Sequence, residues 1–225
     1  MLTQRQQTIL SSLINLYTKY AEPIGSNAVL RDADLDVSGA TARSEMSYLE
    51  EEGYLTHPYT SAGRIPTVKG YRYFRDHLMP DTAPTEAERD VVREMREQEH
   101  DVANRAIAKA IASRAQEAVF VAIESQDVYY TGLSFLFAKP EFGEQELVVN
   151  ISELLDHLND AIVEMSGSVS QDVCIWIGDE HSFGDRCSLV VARSGADGCM
   201  YGILGLERMD YLTCARLVRS ACEIV

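Results

Sequence analysis

The run "YLTHPYTSAGRIPT", residues 54 to 67, restricts the fold more than any other part of the chain. "YLTHPY" has the composition of a short strand, "TSAGR" that of a turn with Gly63 at its tip, and "RIP" reads as the returning strand. So short a hairpin is not stable alone and must lean on other elements. The flanking sequence supplies helices. Thr3 and Gln6 have the spacing of a capping box, and Ile9, Leu10, Leu13, Ile14, Leu16 and Tyr17 recur at helical spacing up to about Tyr20. Pro23 and Gly25 break that pattern, after which Ser26 is expected to cap a short helix from Asn27 to about Ala33. Ser38 is expected to cap a third helix running to about Glu52 and stopped by Gly53, with Ala42, Met46 and Leu49 facing inward. Thr67 then caps a helix to about Met79. Three helices followed by a hairpin predict a winged helix-turn-helix over residues 1–79, with the hairpin as its wing.

The period changes further on. Residues 80–84 form a polar linker holding Pro80 and Pro84, and residues 86–117 read as one long helix with an apolar face of Val91, Val92, Met95, Val102, Ile107, Ala110 and Ile111. "AVFVAIE" and "DVYYTGLSFLF" read as strands joined by a tight turn at Ser125 and Gln126. Residues 144–165 read as a helix. "DVCIWIG", "CSLVVAR" and "CMYGILGL" are three more strands, with "SGADG" as a hairpin turn, and residues 209–225 close the chain as a helix. The predicted class is α+β: the winged domain, a linker and long helix over 80–117, and an antiparallel-sheet domain over 118–225.

Charge divides the chain the same way. Lys and Arg number 20 against 35 Asp and Glu, a formal net charge of −15. Residues 1–79 carry 8 basic and 9 acidic side chains, whereas the remainder carries 12 and 26. The second part repels a polyanion, and the first does not. Within the first part, residues 59–74 hold Arg64, Lys69, Arg72 and four aromatic rings with no acid. Such a stretch suits contact with DNA phosphate. Arg64 beside the wing tip is expected to enter a minor groove or clamp a phosphate. Tyr59, Thr60 and Ser61 on the wing, with Lys69, Arg72 and Arg75 behind it, would add phosphate contacts, as would the hydroxyls of Tyr71 and Tyr73. The polar side of the third helix, Ser38, Thr41, Arg43, Ser44 and Ser47, is expected to face a major groove, with Arg43 suited to a two-point contact with guanine. The competing reading of each basic residue is an exposed cation paired with a nearby acid, such as Arg43 with Glu50.

These segments carry a family likeness. "LTQRQQTILSSLINLYTKYAEPIGS", "VSGATARSEMSYLEEEGYL" and "PYTSAGRIPTVKGYRYF" resemble the heat-inducible transcription repressor HrcA family, and "LFAKPEF" and "CSLVVARSGADGCMYGILGLERMDY" resemble the GAF-like part of the same family. The resemblance implies a repressor of chaperone genes that binds a CIRCE-type inverted-repeat operator as a homodimer and is regulated by a GroEL-type chaperonin. It also implies departures. Relatives often carry Asn where this chain has Ser44, and serine lacks the two-point adenine contact of asparagine. Longer relatives insert a dimerising domain for which there is no room between Glu124 and Val128.

Other chemistry is thinly represented. The five cysteines, Cys174, Cys187, Cys199, Cys214 and Cys222, are odd in number and read as buried thiols rather than a disulfide framework. His181, Asp185 and Cys187 are the one local trio suggestive of a metal, without strict ligand spacing. Asp179 and Glu180 read as a solvated turn, and the glycines of "GILGL" fall inside a strand rather than a phosphate loop. No catalytic set and no cofactor site emerges. No apolar run approaches the ~20 residues needed to cross a bilayer, and Met1 to Gln7 lack the apolar core of a signal peptide, so a cytoplasmic location is expected. The alternatives left open are a regulator whose GAF-like domain senses a small molecule, an enzyme with an attached DNA-binding domain, and a protein–protein module that no longer binds DNA.

Overall fold

The computed structural model describes residues 1–59, 62–93, 95, 99–124, 127–143, 157–195 and 198–223. Contacts cluster within two units, Met1–Pro80 and Asp81–Val225.

In the first unit, helix α1 (Gln4–Tyr20) begins with the expected box: the Thr3 hydroxyl accepts from the Gln6 N–H, and the Gln6 side chain accepts from the Thr3 N–H. Ile9, Leu10, Leu13 and Ile14 form its buried face. Helix α2 (Ser26–Asp32) is capped by Gly25 with no side-chain bond, so Ser26 lies inside the helix rather than before it. Helix α3 (Gly39–Glu51) is capped by Ser38, whose hydroxyl accepts from the Thr41 N–H at 3.1 Å. Its inward stripe is Ala42, Met46 and Leu49, all buried. Strands β1 (Leu55–Thr56) and β2 (Ile65–Pro66) pair antiparallel, with Leu55 opposite Pro66. Thr67 caps helix α4 (Val68–His77), which buries Tyr71 and Phe74. Three helices, a short hairpin and a fourth helix are the winged helix-turn-helix read from the sequence.

A further pairing ties the hairpin down. Ile24, in the loop after α1, bridges Arg64: each N–H donates to the other's carbonyl at 2.9 Å. The approach is close enough that a Cβ on Gly63 would lie 2.5 Å from the Ile24 carbonyl carbon. Only glycine fits there without displacing the backbone.

In the second unit, helices α5 (Glu86–Arg93) and α6 (His100–Ala115) replace the single helix expected over 86–117: Met95 lies in a turn and Glu99 precedes α6 as its N-cap. Val92, Ile107 and Ile111 point inward as expected, but Val102 is exposed, and Ala103, Asn104, Ala108 and Ala112 complete the inner face. The sheet comprises β3 (Ala118–Glu124), β4 (Asp127–Thr131), β5 (Cys174–Ile177), β6 (Cys187–Arg193) and β7 (Met200–Leu206), ordered β4-β3-β7-β6-β5 with every pair antiparallel. After β4 the expected strand stops at Thr131, and Leu133–Phe137 is a short helix, α7. Gly132 makes the turn with φ +79 while packed against the Glu117 carbonyl. Helix α8 (Leu158–Ser166) is the described end of the helix expected over 144–165; His157 lies in the turn before it, and residues 144–156 lie outside the described residues, as do Ser125, Gln126 and the middle of "SGADG". Helix α9 (Tyr211–Glu223) closes the chain.

Both faces of the sheet are covered. Phe120, Leu189, Val191 and Leu204 join Leu136 of α7 and Leu158, Ile162 and Met165 of α8 in one apolar cluster. On the other face, the Tyr201 hydroxyl donates to Asn104 Oδ1 of α6 at 2.5 Å, and Ser188 Oγ lies 2.8 Å from the Tyr211 hydroxyl of α9. A charged cluster beside this sheet has Glu117 buried and its partners part-buried. Glu117 meets Lys139 through Oε1, while its Oε2 has no hydrogen-bond partner, and Arg208 pairs with Glu141 at 2.5 Å. Burial pushes the Glu117 carboxyl up to about 7, although Lys139 and Arg208 pull the other way.

Candidate nucleic-acid interface

Helix α3 presents a candidate interface through periodicity. With Ala42, Met46 and Leu49 buried, the opposite side carries Ala40, Ser44, Ser47, Tyr48 and Glu51. Ser44 is exposed and Ser47 partly so. Ser38 and Thr41 sit at the helix start, their hydroxyls 2.9 Å apart. Ser38 therefore serves first as the cap that starts the helix. Arg43 is exposed, and no carboxylate pairs with it among the described residues. A Cβ built on Gly39 would lie 3.6 Å from its Nη1, so the guanidinium rests over the first turn of α3. That end of a helix already carries partial positive charge from its unpaired N–H groups, and a cation there is repelled unless an anion joins it. The start of α3 is thus chemically suited to an anion.

Arg64 is placed differently from the expectation. It stands in the bridge with Ile24, with Nε 2.6 Å from Glu50 Oε2 on α3, a contact close enough for an ion pair but not aligned as a hydrogen bond. The other oxygen of Glu50 meets Nδ1 of His57, just after β1. It is Arg64, not Arg43, that takes Glu50. Because Arg43 and Glu50 are seven residues apart, they share one flank of α3, and the two arginines fall on the same side of the helix.

The other basic residues divide. Lys69 is exposed, but its amine donates to the Glu52 carbonyl at 2.6 Å and lies 4.4 Å from the centre of the Tyr54 ring. It thereby neutralises the negative end of α3. Arg72 is partly buried on α4, and its charge helps hold the Asp76 carboxyl below its usual range, a shift led by the hydrogen bond from Arg75. Arg75 is paired with Asp76 at 2.7 Å rather than free. The hydroxyl role expected of Tyr71 is corrected, because Tyr71 is core; Tyr73 is part-exposed and packs edge-on against Tyr54 while its hydroxyl accepts from Gln7 Nε2 at 3.3 Å. Tyr59 is 63% exposed, and its carbonyl accepts from Ala62 within the wing turn. Thr60 and Ser61 lie outside the described residues. Sequence reasoning missed Glu50 as a partner of the wing, and it missed Tyr48, an exposed ring one turn beyond Ser44 that a helical projection brings onto the outer face.

The trio of the second unit does not gather. His181 Nδ1 accepts from the Phe183 N–H, Nε2 faces the Cys187 carbonyl, and burial pushes the Cys187 thiol up to about 12. No group of residues able to hold a metal occurs among the described residues, the five cysteines are free, and no described helix is long and apolar enough to cross a membrane.

Comparisons with known proteins bear on this geometry. Residues 1–79 match the family model "Winged helix-turn-helix transcription repressor, HrcA DNA-binding". A heat-inducible transcription repressor HrcA from Halalkalibacterium halodurans is 46% identical over 95 residues, which are 42% of this chain and 28% of that protein. The homologue from Acetivibrio thermocellus is 52% identical over 84 residues, 37% of this chain and 24% of its own length. The matched stretches thus span about a quarter of these relatives. A crystal structure of a hypothetical protein aligns over the whole of both chains with a TM-score of 0.71 at 15% identity, a likeness of fold alone. The HrcA C-terminal domain model takes over from residue 70 and runs to residue 214. With both halves of that architecture in order along one polypeptide, the chain belongs to the HrcA family.

Proposed function

We propose that the protein is a non-enzymatic, cytoplasmic repressor of chaperone genes that binds a CIRCE-type inverted repeat as a homodimer. The observation that carries the reading is the outer side of α3: small hydroxyl residues, an exposed ring, and Arg43 without a carboxylate partner among the described residues, resting over the helix start. One α3 enters the major groove of each half-site, and two-fold symmetry in the protein matches the repeat in the DNA. Ser38, Thr41, Arg43, Ser44 and Ser47 lie along the bases and adjoining backbone. Tyr59, Thr60, Ser61 and Arg64 follow the neighbouring backbone, while Lys69 and Arg72 support the wing from behind. The strongly acidic remainder of the chain stays clear of the duplex. A GroEL-type chaperonin that selects the DNA-competent form raises its population by mass action.

A gel-shift titration against a CIRCE-type inverted repeat and a scrambled duplex of equal length, at two salt concentrations, tests this reading. The repeat is expected to bind at least about a thousandfold tighter than the scramble, with both affinities falling steeply with salt. Equal affinity for the two duplexes would overturn it.

A further inference from the structure

On charge grounds Glu50 does not belong beside DNA. It projects from α3, the helix assigned to the groove, where a carboxylate repels phosphate. Yet it is held on both sides, by Arg64 Nε at 2.6 Å on the wing and by His57 after β1. One side chain thus ties α3 to both arms of the hairpin. The pair is largely shielded, with Glu50 22% and Arg64 24% exposed, so bulk solvent screens it less than a surface pair.

The arginine is held by one edge only. Its shortest contact with Glu50 runs through the buried Nε, the side chain as a whole stays 24% exposed, and neither Nη makes a hydrogen bond among the described residues. The bridge to Ile24 fixes the backbone beneath it. A guanidinium fixed through Nε with its Nη fork open is prearranged for a two-point contact with phosphate oxygens. Arg43 lies on the same flank, its Cα about 10 Å from that of Glu50 along the helix axis at 1.5 Å per residue.

We propose that Glu50 is a positioning residue for DNA binding: it aims the Nη fork of Arg64 at the phosphate backbone and sets the wing against α3. The inference rests on the DNA-binding reading above. Its sign opposes simple repulsion. If the carboxylate only repels the duplex, E50Q binds more tightly; if it positions Arg64, E50Q binds more weakly.

The test measures binding of the full chain to the inverted-repeat duplex by anisotropy across a salt series, for wild type, E50Q, R64A, the double variant E50Q/R64A, R64K and E50Q/R64K. E50Q and R64A are each expected to weaken binding about tenfold and to flatten the salt slope by about one unit. The double variant should be no weaker than R64A. R64K keeps the charge without the fork, and it should be insensitive to E50Q. A loss caused by poor folding is recognised by a lowered melting temperature with an unchanged salt slope, and that result counts against the proposal. Tighter binding by E50Q, or additive losses in the double variant, overturns it. If R64A binds like wild type, this inference falls while DNA binding stands. If wild type does not separate the repeat from the scramble, the DNA-binding reading itself has failed.

Discussion

Glu117 is the side chain whose ionisation the fold opposes most plainly. The residue is 3% exposed, with Lys139 on one carboxyl oxygen and no hydrogen-bond partner on the other. In the unfolded chain it titrates near its ordinary value of 4.5; burial holds the proton in the folded protein up to about 7. Between those values the native state binds more protons than the unfolded state. Stability from this group is therefore complete below pH 4.5 and lost as pH rises towards 7, by up to about 3 kcal/mol. Urea melts at pH 5 and pH 7.5 should show wild type losing stability over that interval more than E117Q does. Equal pH dependence in the two proteins would mean that Lys139 keeps Glu117 ionised throughout. Single residues also mark where reading from sequence ends. Glu50 and Arg64 are fourteen positions apart and on different elements, so no spacing along the chain announces their contact. Arg75 and Asp76 are neighbours in sequence, and their pairing is open to view there, yet the helical spacing of the basic residues points the other way.

Helix α3 shows what local sequence does convey. Ser38 as cap and the inward stripe of Ala42, Met46 and Leu49 are all legible, because capping and periodicity are short-range properties. Losing the cap in S38A should destabilise the protein by about 1 kcal/mol, and S38D, which restores an acceptor, should recover most of it in thermal melts. A melt unchanged by S38A would show that the hydroxyl is not what starts the helix. Elements whose limits depend on distant packing are less legible. The strand predicted through "GLSFLF" ends because Gly132 turns against the Glu117 carbonyl, fifteen residues earlier, and leads into α7. The helix predicted over 86–117 joins two apolar stretches across six consecutive polar residues, 96–101, and that gap is legible in the sequence as the place where α5 and α6 part. Lys69 reads as a free cation until the end of α3 is seen beneath it.

At the scale of the whole molecule, each unit has its own buried core, Ile9, Leu10, Leu13 and Ile14 with Leu49 in the first and the two faces of the sheet in the second. Composition differs between the units in the same sense as the proposed roles, near neutrality where DNA is to be met and strong acidity elsewhere. A fragment of residues 1–80 is accordingly expected to melt cooperatively by itself. It should bind an inverted repeat no better than an isolated half-site, whereas the full chain should prefer the repeat, as a gel-shift comparison of the two duplexes will read. A fragment that keeps the full preference would place the dimer contact within the first unit.

Because Ile24 and Arg64 exchange main-chain bonds, the loop after α1 acts as a third arm of the hairpin. The pitch of the wing is consequently geared to residues 21–25. On the proposed reading of DNA binding, substitutions there retune how the wing meets a duplex while every side chain of α3 stays as it is, so a lineage can drift to a new operator geometry without altering that helix.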